Sequence, residues 1–169
     1  EISCENDGTL TVNPDPILNL FNEESLAPGE SVQKSIEVIN NDLGNSCDVS
    51  FDISDVGLDE NDISERYFTS IQVNGIDVFG DRTGSEANFT STLKDLFDAG
   101  IIDFASISVD NTATIDWIVT FDPLSGNEYQ GQSLIFDFLL NFQWGSAEDD
   151  VEGIGEVEGA SDTRGIGDV

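Results

Sequence analysis

The alternation of large apolar residues with smaller or polar ones is clearest between positions 134 and 144. A period of two places every second side chain on one face of an extended chain, so the pattern predicts a long β-strand with one buried face. Since a strand of about ten residues spans roughly 33 Å, we expect it to be central and paired. The buried face is predicted to hold Leu134, Phe136, Phe138, Leu140, Phe142 and Trp144.

Shorter alternating runs predict further strands at 8–12, 31–40, 47–53 and 115–121. Turn-forming residues separate the 31–40 and 47–53 segments, so we expect these two to form an antiparallel pair. Asn74-Gly75 lies between two apolar runs and predicts a tight hairpin, because these residues accept the positive φ of a type I′ turn.

A single short helix is predicted to end at Ala99, with Thr90 or Ser91 as its N-cap and Gly100 terminating it. Its apolar side would carry Leu93, Leu96 and Phe97. Many short strands, one helix and frequent turn signals predict an all-β fold, an antiparallel jelly-roll-type β-sandwich with one short helix.

The 169 residues suffice for one domain with a core, and three segments are expected. Residues 1–12 form an N-terminal strand segment and a possible donor strand, 13–144 form the sandwich, and 145–169 form an acidic, Gly-rich tail. The composition of the tail is typical of a disordered segment. Val151, Ile154 and Val157 nevertheless leave room for a strand that orders against a partner.

The chain carries 35 Asp and Glu residues against five Lys and Arg, a formal charge of −30. This balance favours a salt-adapted, haloarchaeal-type protein, because salt screens self-repulsion; an acidic secreted domain from a moderate habitat is the alternative. Such a chain repels nucleic acid and anionic membranes, so neither is expected as a partner. No apolar run approaches the ~20 residues that span a bilayer, so we expect no membrane insertion of the mature chain.

Cys4 and Cys47 are the two cysteines. In an exported chain they predict a disulfide, either within the chain or between neighbouring subunits, although free thiols stay open. The absence of histidine excludes an H-E-x-x-H zinc site and any Ser-His or Cys-His nucleophile pair, and no spacing singles out a carboxylate pair. We therefore expect no enzyme and no required cofactor.

Calcium is the one ion that the acidic loops could bind, because it takes carboxylate and carbonyl oxygens. Asp59 and Asp62 are the candidate ligands, although a solvated acidic loop explains them as well. Asn88 begins an Asn-Phe-Thr sequon and is a candidate glycosylation site of a secreted protein.

Several short motifs, in this order along the chain, resemble those of the TasA/camelysin family of secreted biofilm-matrix fibre proteins. Related archaeal pilins share the fold of that family. The resemblance covers both ends of the domain and leaves about 55–125 unmatched. The seven residues before the first motif are fewer than the fibre formers of that family carry. The matching positions are Gly8, Thr9, Leu10, Leu26, Pro28, Gly29, Glu30, Asn40, Asn41, Tyr129, Gln130, Gly131, Ser133, Gln143 and Trp144.

The resemblance implies an extracellular or cell-surface protein, located there after signal-peptide removal. It implies a jelly-roll subunit of a pilus or biofilm-matrix fibre whose identical copies polymerise head to tail by donor-strand complementation, with possible bundling of neighbouring filaments. The donor is expected to be the N-terminal segment, and the tail around 151–157 is the other candidate. The insertable side chains of the N-terminal segment would be Ile2, Cys4, Leu10 and Val12.

Two other functions fit the same sandwich. One is a monomeric carbohydrate-binding or adhesion module that uses exposed aromatic side chains such as Trp117 or Tyr67. The other is a calcium-dependent structural domain of the cell surface.

Overall fold

A computed structural model of the chain describes residues 2–5, 10–12, 26–81, 90–129, 132–145 and 163–168. Its strands are β1 (Ile2–Cys4), β2 (Leu10–Val12), β3 (Ser31–Asn40), β4 (Ser46–Asp59), β5 (Tyr67–Val73), β6 (Ile76–Phe79), β7 (Ile102–Ile107), β8 (Thr112–Phe121), β9 (Ser133–Gly145) and β10 (Thr163–Asp168). The helices are α1 (Leu93–Ala99) and two 3-10 segments, Glu60–Arg66 and Asn127–Tyr129.

The described strands form two sheets, which confirms the predicted all-β sandwich. One sheet has the order β2-β1-β3-β8-β5-β6, and the other has the order β10-β9-β4-β7. Paired strands in the described residues are antiparallel except β1 and β3, which run parallel. The antiparallel prediction is therefore corrected at this pair, where a long connection through β2 replaces a hairpin.

The expected pairing of 31–40 with 47–53 is wrong, because β3 and β4 lie in different sheets. The loop between them forms a corner held by side chains. Asn40 Nδ2 donates to the carbonyl oxygens of Asn45 and Ile107, and Asp42 Oδ1 accepts from the backbone N–H of Gly44. Turn chemistry of this kind redirects the chain to the opposite sheet as readily as it closes a hairpin.

The core lies between the two sheets, and β9 contributes to it as its alternation predicts. Leu134, Phe136, Phe138 and Leu140 are buried, whereas Phe142 and Trp144 are half-buried at the far end of the strand. The ring of Phe51 contacts those of Phe104, Trp117 and Phe138 with centroids 5.2–5.5 Å apart. Aromatic contact across the layers joins the two sheets.

The Asn74-Gly75 hairpin between β5 and β6 is confirmed, with φ of 52° and 79° at the two residues. Helix α1 is also confirmed, but its N-cap is Thr92 rather than Thr90 or Ser91. Thr92 Oγ1 accepts from the backbone N–H of Asp95, whose carboxylate accepts from the Thr92 N–H, so the two residues form a capping box. No helix in the described residues is long and apolar enough to cross a membrane.

Candidate functional site

Strand β1 is buried in its own subunit, although it is only three residues long. It lies between β2 and β3, with Ile2 opposite Val38 and Cys4 opposite Asn40. Ile2 is 2% exposed and Cys4 is fully buried. The carbonyl oxygen of Cys4 also accepts a 2.8 Å hydrogen bond from the backbone N–H of Asn41. The N-terminal segment therefore completes the sheet of the chain to which it belongs.

Of the four proposed donor-strand residues, the structure gives side-chain positions for two. Ile2 and Cys4 point into the core, as an inserted strand would require, but the core is their own. The backbones of Leu10 and Val12 pair with Cys4 and Ile2 in β2, and their side chains lie outside the described part.

A disulfide joins Cys4 to Cys47 within the chain, with their Cα atoms 6.5 Å apart. Cys4 belongs to the six-stranded sheet and Cys47 to β4 of the other, so the bond crosses the sandwich. Both residues are fully buried. Of the alternatives that the sequence left open, the structure has the intrachain bond.

The edge of β3 is covered over a part of its length only. Within the described residues, β1 pairs with Val38–Asn40, and no strand pairs with the first seven residues of β3 on that side. The burial of the core-facing side chains of β3 differs in the same way between its covered and uncovered parts. Ile36 and Val38 are buried near β1, whereas Val32 and Lys34 are half-buried farther along.

Strand β10 forms the corresponding edge of the four-stranded sheet. It pairs antiparallel with β9 from Thr163 opposite Phe138 to Asp168 opposite Ser133. In the described residues β9 is its one partner, so β10 is an edge strand. The tail thus includes a strand at 163–168, whereas the candidate stretch around 151–157 lies outside the described part.

The aromatic residues that a glycan-binding surface would need lie inside the sandwich. Trp117 is 3% exposed and its Nε1 donates a 2.7 Å hydrogen bond to Thr69 Oγ1. Tyr67 is 2% exposed and its ring stacks on Phe121. Burial raises the pKa of the Tyr67 hydroxyl. The expectation that Trp117 or Tyr67 is an exposed aromatic is wrong, because β8 and β5 direct these two side chains into the core.

The candidate calcium ligands Asp59 and Asp62 take separate local roles. Both carboxylate oxygens of Asp59 accept from Ser64, one from its backbone N–H at 2.9 Å and one from its hydroxyl. Asp62 is exposed and has a positive φ of 52°. No group of three or more Asp, Glu, Cys or His side chains in the described ranges is arranged to hold a metal ion.

A cationic contact that the sequence reading missed anchors the loop ahead of β9. Arg66 Nε donates to the hydroxyl of Tyr129 at 3.0 Å, and the guanidinium carbon lies 5.2 Å from the centre of its ring. The hydrogen bond to Tyr129, followed by the nearby charge of Asp122, raises the pKa of Arg66. The whole chain has five Lys and Arg residues, so the rarity of cations could have indicated that Arg66 has a structural role.

Asn88, the candidate glycosylation site, lies outside the described residues. No protein-family model, curated protein or solved structure gives a significant match to this chain.

Proposed function

We propose that the chain is a structural subunit of an extracellular filament, a pilus or biofilm-matrix fibre, whose identical copies join head to tail by strand complementation. One observation carries the proposal: in the described residues each sheet has short strands along one edge, β2 with β1 in one sheet and β10 in the other. A short strand at a sheet edge can be exchanged between copies, because its backbone hydrogen bonds form equally well with a neighbour.

Exchange of one edge strand gives a contact between two different surfaces of the subunit. Such a heterologous contact does not close on itself unless the rotation happens to form a ring, so it generates a filament. The resemblance of the sequence motifs to the TasA/camelysin family supports this mode of assembly. Neighbouring filaments could then bundle through their flanks.

The disulfide supports the extracellular location, since such bonds persist in oxidising compartments. Neither catalysis nor a cofactor is part of the proposal. The burial of Trp117 and Tyr67 removes the surface on which the carbohydrate-binding alternative was based.

Negative-stain electron microscopy of the purified chain tests the proposal. We expect micrometre filaments at about 1 M salt, where the Debye length is about 3 Å and the charge of −30 is screened. The same sample with EGTA tests the calcium-dependent alternative, which requires that assembly be lost. Dispersed particles at molar salt, with and without added calcium, would refute the filament function, and saturable glycan binding by those particles would favour the module.

A further inference from the structure

We propose that the exchanged strand is β10, which pairs with β9 of the next copy, and that β1 remains in its own chain. The interaction surface is the outer edge of β9 between Ser133 and Phe138. The partner is a second copy of this chain. The inference rests on the proposed function and specifies which strand of the subunit is exchanged with the neighbouring copy.

The first step is that β1 cannot leave its own subunit while the disulfide is intact. Cys4 is the last residue of β1, and its partner Cys47 lies in the other sheet of the same chain. Ile2 and Ser3, the rest of the strand, are 2% and 6% exposed. Transfer of β1 to a neighbour would require breaking this bond and exposing Val38–Asn40, the part of β3 that pairs with β1. No such bond holds β10.

The second step is that β10 matches β9 position by position. In the backbone register Arg164 stands opposite Asp137 and Ile166 opposite Ile135, so the paired positions carry complementary residue types. Arg164 is one of five cations in the chain. Asp137 Oδ1 is buried and accepts no hydrogen bond within the described residues. The backbone register therefore brings one of the five cationic residues to the position opposite Asp137.

The third step is that β10 adds little to the core of its own subunit. Its other register positions include Gly165 opposite Phe136 and Gly167 opposite Leu134, both core residues of β9. Glycine has no side chain to bury at these two positions, so the strand is held there by its backbone pairing with β9. Those interactions are the same whether β9 belongs to the same chain or to another copy.

The fourth step is that the connection between β9 and β10 is longer than intrachain pairing requires. The register requires a return from Gly145 to the level of Phe138, seven positions along β9 or roughly 23 Å. Residues 146–162 provide 17 residues, which extend to roughly 61 Å at most. Intrachain pairing needs about seven extended residues for that return and a turn of two to five, so the connection is longer than intrachain pairing requires.

Cysteine pairs placed at one register position test the inference. Asp137→Cys in a tagged chain is mixed with Arg164→Cys in an untagged chain, and filaments are assembled, mildly oxidised and run on a non-reducing denaturing gel. Directly opposed strand positions have Cα atoms about 4.5–5.5 Å apart, within the range of a disulfide. We expect a tagged–untagged dimer. Asn141→Cys in place of Asp137→Cys is the matched control, because Asn141 shares the face but lies beyond β10.

The outcomes separate the two proposals. Filaments without the mixed dimer, or filaments from a chain lacking residues 146–169, would overturn the assignment of β10 and leave the filament function standing. Mixed dimers in a sample that contains only dispersed particles would refute the filament function and keep the strand exchange. Wild-type filaments should run as monomers on the non-reducing gel, and a ladder linked through Cys4 and Cys47 would overturn the inference.

Discussion

Removal of the disulfide by the double substitution Cys4→Ala and Cys47→Ala should lower the free energy of unfolding by about 4 kcal/mol. The bond connects residues 43 apart in sequence, and the chain-entropy model gives about 4 kcal/mol for a closed loop of that length. For a chain of this size, 1 kcal/mol corresponds to about 2–4 °C in Tm, so Tm should fall by roughly 8–16 °C.

Urea unfolding at a fixed molar salt concentration measures this loss, because urea is uncharged and leaves the screening constant. The fluorescence of the two tryptophans, buried Trp117 and half-buried Trp144, reports the transition. Wild-type protein with a reductant should lose the same stability as the double variant. Ser3→Ala is the matched control, since it alters the same strand and keeps the bond, and its effect should stay below about 1 kcal/mol.

A loss below about 1 kcal/mol in both the double variant and the reduced wild type would refute the reasoning. It would mean that Cys4 and Cys47 do not close this loop in solution. The N-terminal strand would then be free to leave its subunit, and the argument that assigns exchange to β10 would lose its first step.

Three further predictions follow from local geometry. Gly80→Ala should lower the free energy of unfolding in urea by more than about 2 kcal/mol, because φ is +67° and a Cβ would lie 2.6 Å from a main-chain oxygen of β5. Gly100→Ala is the control: its φ is +71° but a Cβ would meet no atom within 4 Å, so the loss should be about 1 kcal/mol. Thr92→Ala should cost about 1 kcal/mol in the same assay through the lost cap of α1, whereas Thr92→Ser should cost little. The backbone N–H of Gly44 lowers the pKa of Asp42 below its ordinary 3.8, so the ionised carboxylate stabilises the fold above that pH, and this contribution is lost as the pH falls through the folded-state pKa. The Tm difference between wild type and Asp42→Asn should therefore be constant at neutral pH and shrink in thermal melts below pH 3.8; a difference that stays constant to lower pH would contradict this cause.

The faces of the strands could be predicted from the sequence, whereas their partners could not. Alternation of apolar and polar residues reports which side of a strand is buried, as it does for β8 and β9. It contains no information on which strand lies alongside. The 31–40 and 47–53 segments were therefore paired by proximity in sequence, although the corner held by Asn40 and Asp42 sends them to different sheets.

The candidate assembly edges were partly visible in the sequence. The two cysteines allowed a disulfide, but spacing does not distinguish an intrachain bond from an intersubunit bond. Strand β10 was missed for a physical reason: two of its six residues are glycine, so it lacks the alternation by which strands are recognised, and its backbone pairs with β9. The burial of Trp117 could not be predicted, because alternation shows that an aromatic side chain lies on one face of a strand but not whether a second sheet covers that face.

An acidic chain that assembles with itself gains from using strand edges. Two copies of charge −30 repel each other, and side-chain surfaces rich in Asp and Glu offer few complementary contacts to overcome that repulsion. Backbone N–H and C=O groups carry no net charge, and they pair in the same geometry whatever the side chains are. Placing Arg164, one of the five cations, opposite Asp137 adds the single opposite-charge position in the register of β10 with β9. An assembly built on the backbone of β9 therefore keeps an acidic surface and still specifies one register.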